Sequence, residues 1–221
     1  YNIIMCGIFG STTFKNYEKL YIANRERGNF SYGSLYTTKH NEVYIRKSSG
    51  VVDLTGDYAF SDDYINYLGH TQAPTSSARE FSPITSHPFE DFYYIVAHNG
   101  VLENDKEIIG EFLPGHPNPV DSSVIPALIS MVFEFGDEFL GDNVNDNKRT
   151  SEILALEHAC NKLKGTFACW IYSKLTGCTF LVRNGSTLYG NTDTGEFSSI
   201  KVPGVVDEEL KEGVIYCSTT E

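Results

Sequence analysis

The stretch Met-Cys-Gly-Ile-Phe-Gly at residues 5–10 decides how the rest of this 221-residue chain is interpreted. The segment 2–13 around it is apolar and rich in β-forming residues, with small residues at intervals. This pattern predicts a buried strand that other backbone approaches closely. Cys6 is a candidate nucleophile, because an N-terminal cysteine has its own general base: a free α-amino group has a pKa of about 7.7–8.0. The alternative for Cys6 is a buried structural cysteine, the usual role of an unpaired thiol.

Cys6 is not the first residue of the sequence, because residues 1–5 precede it and end in Met5. While these residues remain attached, the nitrogen of Cys6 is an amide and cannot act as a base. If Met5 is the true start, removal of the initiator would expose Cys6. If the chain is made as written, it is a precursor or an inactive relative. We therefore divide the chain into residues 1–5, which are a propeptide, a tag or upstream residues, and one domain over residues 6–221.

A second motif, Ala-His-Asn-Gly at residues 97–100, lies at the end of a strand predicted over residues 92–98. Asn99 has a side-chain amide, and the glycine after it has a sterically open N–H. Such donors can stabilise an oxyanion, and each is worth about 3–4 kcal/mol in enzymes that use them. Because Asn-Gly is also a strong turn signal, a strand-to-turn corner is the alternative for this motif.

The remaining pattern consists of blocks of strands and blocks of helices. Amphipathic spacing predicts helices over residues 14–27, 101–112, 122–135 and 151–163. Alternating or β-rich segments predict strands over residues 34–38, 42–46, 64–71, 166–172, 178–183, 186–189 and 213–217. Because few helices separate paired strands, this order predicts an α+β fold with antiparallel sheets.

Charge and composition exclude several classes of function. The chain has 17 Lys plus Arg against 29 Asp plus Glu, and this net charge of −12 argues against a nucleic-acid or membrane-surface partner. The five cysteines include no C-x-x-C pair, so we expect no metal site and a reducing, cytoplasmic compartment. The longest apolar run, residues 124–133, is too short for a membrane span, which needs about 20 residues. The N-terminal segment also lacks the features of a secretory signal.

Further motifs follow in order along the chain. They are Cys-Gly-Ile-Phe-Gly at 6–10, Arg-Gly at 27–28 with Ser31 and Gly33, Gly-His-Thr at 69–71 with Thr75, Ser-His-Pro at 86–88, His-Asn-Gly-Val-Leu-Glu-Asn at 98–104, and Asp-Ser-Ser-Val-Ile at 121–125. In this order the chain resembles the glutaminase domain of the class II glutamine amidotransferases, which are N-terminal-nucleophile hydrolases. A weaker likeness continues through residues 163–168 and 183–185 toward the C-terminus.

The resemblance implies a fold and a set of catalytic residues. The fold would be a four-layer αββα sandwich, with two antiparallel sheets between helical layers. Cys6 would attack the side-chain amide of glutamine, and Asn99 and Gly100 would hold the oxyanion. Arg27 and Gly28 match a family position that packs against the nucleophile.

The resemblance also implies a substrate pocket. Asp121 matches the carboxylate that pairs with the α-ammonium of the substrate, and Thr75 and His87 match positions that line the same pocket. A carboxylate suits an ammonium if the pair is partly desolvated. Because Asp121 precedes a predicted helix, capping of that helix is its alternative role.

The chain departs from the family pattern at Gln72. Much of the family has an arginine after Gly-His-Thr, where it binds the α-carboxylate of glutamine. A neutral amide at this position loses the charge-assisted, bidentate part of the interaction. Arg79, seven residues further on, is a candidate substitute, with an exposed loop arginine as the alternative.

The implied reaction is hydrolysis of glutamine to glutamate and ammonia through a thioester at Cys6, with no cofactor. No synthase motif is visible in the chain, so we expect the ammonia to pass to a separate synthase subunit. Two alternatives remain open. One is a related amidohydrolase that cleaves a different amide, which Gln72 would permit. The other is a non-catalytic scaffold or precursor in which residues 1–5 cap Cys6.

Overall fold

The structure is a computed structural model that describes residues 6–54, 63–73, 80–136 and 148–218. Its helices are Phe14–Asn24 (α1), Asp105–Phe112 (α2), Val124–Glu134 (α3) and Lys148–Lys162 (α4). Its strands are Gly7–Ser11 (β1), Ser31–Thr38 (β2), Val43–Ser49 (β3), Tyr64–Gln72 (β4), Phe89–Glu90 (β5), Tyr94–Leu102 (β6), Gly165–Ser173 (β7), Thr179–Asn184 (β8), Tyr189–Gly190 (β9), Phe197–Ser198 (β10), Glu208–Glu209 (β11) and Tyr216–Ser218 (β12). Short 3₁₀ turns lie at Pro83–Thr85 and Asp121–Ser123.

The strands form two sheets in which neighbouring strands run antiparallel. The first sheet has the order β11-β9-β10-β1-β4-β2-β3, and the second has the order β12-β8-β7-β6-β5. Helix α1 packs on the first sheet through a cluster that contains Tyr17 and Leu20. Helices α2, α3 and α4 pack on the second sheet through a cluster that contains Ile108, Leu128 and Leu156. The predicted α+β fold with four αββα layers is confirmed.

The side chains of β6 alternate between the two cores of the second sheet. Ile95 and Ala97 belong to the inter-sheet core together with Trp170 of β7, whereas Tyr94 belongs to the core beneath the helices. The indole Nε1 of Trp170 donates a hydrogen bond to the carbonyl of Gly69 in β4, at 3.0 Å, and so joins the two sheets. By the same alternation, successive side chains at the polar end of β6 face the inter-sheet core and the core beneath the helices in turn.

A group of tyrosines fills the core beneath α1. The hydroxyl oxygens of Tyr17 and Tyr32 are 2.5 Å apart, and those of Tyr32 and Tyr36 are 2.8 Å apart. All three side chains are buried, and burial raises the pKa of Tyr17 and Tyr32 well above the usual value for a phenol. These tyrosines therefore form a chain of neutral hydroxyls between α1 and β2.

Several predicted boundaries differ from the structure. The prediction that a strand ends within residues 97–100 is wrong, because β6 continues to Leu102 in register with β7. The helix predicted from Val101 begins instead at Asp105. The strand predicted over residues 186–189 is reduced to the short β9. In the first and second cases, pairing with a long neighbouring strand outweighs the local turn signal.

Candidate active site

Cys6 lies directly before β1, a central strand of the first sheet. β1 pairs with β4 from Gly7 opposite Thr71, and one more step in this register places Cys6 opposite Gln72. Ile8 belongs to the inter-sheet core, and the two-residue period of a strand places Cys6 on the same face. Cys6 is half-buried. The candidate nucleophile therefore lies at the gap between the two sheets.

Arg27 follows α1 and interacts electrostatically with Cys6. Burial lowers the pKa of the Arg27 guanidinium, and the Cys6 thiolate acts in the opposite direction. The guanidinium is held in place because its Nη1 donates to the carbonyl oxygen of Ser199, at 3.1 Å. A cation beside a thiol favours the thiolate, which is the form that attacks a carbonyl carbon. The structure thus brings Arg27 and Cys6 together, and the catalytic role of Arg27 stays a prediction.

Gly28 lies where the chain after α1 passes close to the end of β4. A Cβ atom at this position would be 2.4 Å from the carbonyl carbon of Gln72 and 2.6 Å from the nitrogen of Ala73. Two residues later, the N–H of Phe30 donates to the carbonyl oxygen of Gln72, at 2.9 Å. Gly28 therefore permits a close backbone approach that any side chain would prevent.

Asn99 and Gly100 lie within β6, opposite Ala168 and Phe167 of β7. Asn99 continues the inter-sheet face of β6, is 1% exposed, and donates from Nδ2 to Ser199 Oγ at 3.2 Å. Gly100 has a φ of +149°, and a Cβ there would lie 2.0 Å from the carbonyl oxygen of Thr166. The backbone at Gly100 thus requires glycine, and the binding of an oxyanion by Asn99 and Gly100 stays a prediction.

Ser199, which the sequence analysis missed, lies at the centre of this arrangement. Its hydroxyl oxygen accepts hydrogen bonds from the N–H of Ile8, at 3.0 Å, and from Asn99 Nδ2. Its carbonyl oxygen accepts from Arg27 Nη1 and from the Thr187 hydroxyl, the latter at 2.9 Å. No local motif marks Ser199, because its partners are as many as 191 residues away in sequence.

Asn24, the last residue of α1, was also missed. Its Nδ2 donates to the Leu20 carbonyl and to Ser198 Oγ, each at 2.8 Å. The Thr71 hydroxyl donates to the Asn24 carbonyl at 2.9 Å. A Cβ at Gly7 would lie 2.6 Å from Asn24 Oδ1, so this side chain packs directly against the backbone that follows Cys6. The sequence signal for this role is only a polar residue on the buried face of a helix.

Asp121 begins the short 3₁₀ turn before α3 and is half-buried. Its Oδ2 accepts from the Leu102 N–H at 3.0 Å, and its Oδ1 accepts from the N–H and the hydroxyl of Ser122 at 2.7 and 3.2 Å. Asp121 does not occupy the N-cap position of α3, as the alternative role of helix capping required, because that position is Ser123. Asp121 joins the end of β6 to this turn, and its binding of a substrate ammonium stays a prediction.

Three buried histidines lie close together: His70 in β4, His98 in β6 and His87 just before β5. The rings of His70 and His87 stack with their centroids 3.9 Å apart. His70 Nε2 lies 3.2 Å from the His98 carbonyl oxygen, and His98 Nδ1 lies 2.8 Å from Ser122 Oγ. Burial lowers the pKa of His70 to about 3 and also lowers the pKa of His98. His70 is therefore uncharged at neutral pH, and His87 is its buried stacking partner.

Gln72, the position of the expected family arginine, is 2% exposed at the end of β4. Its Oε1 accepts from the Ser31 hydroxyl at 2.7 Å, so part of its bonding capacity is used within the first sheet. The two other predicted pocket residues, Thr75 and Arg79, lie outside the described residues. Their proposed contacts with substrate remain predictions.

Two features are absent from the described residues. No group of three or more His, Cys, Asp or Glu side chains in the described ranges is arranged to hold a metal ion. No helix in the described part of the chain has the length and hydrophobicity that crossing a bilayer requires.

An αββα sandwich with a cysteine at the start of a central strand defines the N-terminal-nucleophile hydrolase type of fold. In solved structures, the chain is similar to the glutamine phosphoribosylpyrophosphate amidotransferase of B. subtilis in complex with ADP and GMP. The TM-score is 0.64 at 15% identity, over 96% of this chain and 46% of that one. The chain therefore has the fold of class II glutamine amidotransferases, as the resemblance in sequence implied.

Sequence relatives agree with this fold. The 7-cyano-7-deazaguanine synthase of Saccharolobus solfataricus is 26% identical over 200 residues, which are 84% of this chain and 40% of that protein. The isomerizing glutamine–fructose-6-phosphate aminotransferase of Streptococcus pyogenes serotype M3 is 25% identical over 190 residues, 83% of this chain and 30% of that protein. The chain thus spans less than half the length of these curated relatives. No protein-family model matches it.

Proposed function

We propose that this chain is a glutaminase unit of the class II glutamine amidotransferase type. It hydrolyses glutamine to glutamate and ammonia through a thioester at Cys6. The observation that carries the proposal is the convergence on Ser199, which contacts the strand that follows Cys6, the amide of Asn99 and the guanidinium of Arg27. These residues are distant in sequence, and they have the chemistry of a nucleophile, an oxyanion donor and a cation that stabilises a thiolate.

The proposed reaction begins once Cys6 is the N-terminal residue. Its α-amino group takes the thiol proton, and the thiolate attacks the side-chain amide carbon of glutamine. Negative charge then develops on the amide oxygen, which accepts hydrogen bonds from Asn99 Nδ2 and the N–H of Gly100. The amine returns the proton to the nitrogen that leaves as ammonia. Water hydrolyses the thioester in a second cycle of the same proton transfers, which restores Cys6 and releases glutamate.

Asp121 is proposed to bind the α-ammonium of glutamine. A carboxylate offers about four lone-pair sites, and the described contacts of Asp121 use three of them. The remaining site can accept a charge-assisted hydrogen bond from an ammonium. Thr75, His87 and Arg79 are proposed to complete the wall of the same pocket.

We propose further that the ammonia passes to a synthase unit on a separate subunit. The two sequence relatives support a synthase as the acceptor, since one is a 7-cyano-7-deazaguanine synthase and the other is an aminotransferase. Both relatives are much longer than the region they share with this chain. A pull-down with the purified glutaminase form, followed by glutamine-dependent ammonia incorporation in the captured complex, tests this step.

The test of the glutaminase proposal is glutamate release by protein that begins at Cys6. We expect turnover in this form and a loss of at least about 10³-fold in Cys6→Ala, because no other group can form the thioester. The matched control is Cys217→Ala, which removes another half-buried cysteine, in β12, and should leave turnover within about twofold. A folded protein that begins at Cys6 and releases no glutamate from glutamine would contradict the proposal.

One observation favours a second candidate, an amidohydrolase that cleaves a different amide. Gln72 is a neutral side chain bonded to Ser31, where a charged partner for the substrate carboxylate was expected. Comparing kcat/KM for glutamine with that for N-substituted γ-glutamyl amides separates the two. A preference for glutamine of about tenfold or more supports the glutaminase, and the reverse preference supports the second candidate.

A further inference from the structure

We infer that Ser199 is a positioning residue of the glutaminase reaction. Its hydroxyl orients the Asn99 amide toward the developing oxyanion and ties that amide to the strand that carries Cys6. This inference rests on the proposed function. It adds a residue that acts through Asn99.

Ser199 is rigidly attached to β1. Its N–H donates to the carbonyl oxygen of Ile8 at 2.8 Å, and its Oγ accepts from the N–H of Ile8 at 3.0 Å. The residue is 1% exposed, so water does not compete for these bonds. The position of Oγ is thus set relative to Ile8, two residues after Cys6.

The hydroxyl of Ser199 then determines the orientation of Asn99. A serine oxygen has two lone pairs, and the N–H groups of Ile8 and Asn99 fill both. The Asn99 amide has two N–H bonds, of which Ser199 uses one, so the second can be donated to the oxyanion. Because the terminal torsion of asparagine is otherwise broad, the bond to Ser199 restricts the plane in which that second N–H points.

The same residue links the oxyanion donor to the cation of the site. The carbonyl oxygen of Ser199 accepts from Arg27 Nη1 at 3.1 Å and from the Thr187 hydroxyl at 2.9 Å. The hydroxyl and the carbonyl therefore serve different partners. A substitution that removes only the hydroxyl releases Asn99 and leaves the backbone contact to Arg27 in place.

The first experiment measures glutaminase kinetics of Ser199→Ala in protein that begins at Cys6. We expect kcat to fall by about 10–100-fold with KM within about threefold, because the lost bond supports a donor used in the transition state. The matched control is Thr187→Val, which removes a hydrogen bond to the carbonyl of the same residue and leaves Oγ untouched. The control should keep kcat within about threefold of wild type.

A double-mutant cycle distinguishes positioning from a general structural role. Asn99→Ala alone should lower kcat by about 10²–10³-fold. If Ser199 acts through Asn99, Ser199→Ala should cost less than about threefold in the Asn99→Ala background. Losses that multiply in the double variant would overturn the inference.

A second variant keeps the test decisive if Ser199→Ala does not fold. Ser199→Cys is nearly isosteric, and its sulfur is a weak acceptor, so kcat should again fall. Wild-type kcat in either folded variant overturns the inference. Suppose that wild type releases glutamate, that Cys6→Ala does not, and that the substitutions of Ser199 have no effect. This result would refute the inference about Ser199 and leave the proposed function intact. Absence of glutamate release by wild type would instead refute the proposed function.

Discussion

At the scale of single residues, the candidate site depends on backbone positions that only glycine can occupy. Gly28 lets the segment after α1 approach Gln72, and Gly100 lets β6 lie close to the Thr166 carbonyl while it remains paired with β7. Neither glycine is a flexible hinge, since each lies against fixed neighbouring backbone. Gly28 follows Arg27, which interacts with Cys6, and Gly100 follows Asn99, the proposed oxyanion donor.

Gly100→Ala is expected to destabilise the protein strongly. Alanine at a φ of +149°, with its Cβ 2.0 Å from the Thr166 oxygen, should lower the free energy of unfolding by about 3 kcal/mol or more. The matched control is Gly110→Ala in α2, where a Cβ meets nothing within 4 Å, and it should raise stability by about 0.5–1 kcal/mol. Urea unfolding measures both changes. A Gly100→Ala protein as stable as wild type would contradict the account.

Residues with local signals could be predicted from the sequence, and residues with only long-range partners could not. Cys6 and Asn99 were identified because each belongs to a short motif. Ser199 has no such motif, and its bonds reach across 191 and 100 residues to Ile8 and Asn99. Asn24 was missed for the same reason, since its partner Ser198 is 174 residues away.

At the scale of elements, β4 and β6 meet through the buried histidines. The titratable neighbours of His70 are the stacked His87 and the hydrogen-bonded His98. Burial disfavours the charged form of His70 and keeps it neutral, so this contact between the sheets requires deprotonated imidazole. The contact should therefore weaken in acid.

The expected pH dependence follows from the pKa of His70, which is lowered from its usual value to about 3. Between pH 6.5 and 3 the unfolded chain binds a proton that the folded protein does not. The free energy of unfolding should therefore fall as pH decreases through this window, by up to about 1.4 kcal/mol per pH unit for this histidine. Urea unfolding at pH 7, 6 and 5 measures the slope. In His70→Gln the change in the free energy of unfolding per pH unit should be smaller by up to about 1.4 kcal/mol, and a slope equal to that of wild type would contradict this assignment.

The hydroxyls of the buried tyrosines also join two elements, α1 and β2. Tyr32→Phe removes the middle hydroxyl and leaves those of Tyr17 and Tyr36 buried without this partner. We expect a loss of about 1–3 kcal/mol in the free energy of unfolding. The control is Tyr44→Phe, whose exposed hydroxyl donates to Glu42, and it should change stability by less than about 0.5 kcal/mol. Equal effects of the two substitutions would rule out a structural role for the hydroxyl chain.

The strands that could be predicted from the sequence are long and rich in β-forming residues. β2, β4 and β7 were located within a few residues, and each pairs along its whole length with a neighbour. The end of β6 was wrong because Asn99 and Gly100 favour a turn in isolation. In the fold, pairing of both residues with β7 outweighs that preference.

At the scale of the whole molecule, two sheets meet face to face with helices outside, and the candidate nucleophile lies at the gap between them. The first sheet contributes Cys6 and Ser199, and the second contributes Asn99. The proposed catalysis therefore requires a fixed position of one sheet relative to the other, which Trp170 and the inter-sheet core maintain. Cys6 has a free α-amino group only in protein that lacks residues 1–5.

The most direct test of the central claim is the intact mass of two forms of the protein after treatment with a diazo-ketone analogue of glutamine. One form begins at Cys6 and the other retains residues 1–5. We expect one stoichiometric adduct on Cys6 in the first form, and none in the second form or in Cys6→Ala. An adduct at a different residue, or equal labelling of both forms, would contradict the claim that Cys6 acts as an N-terminal nucleophile.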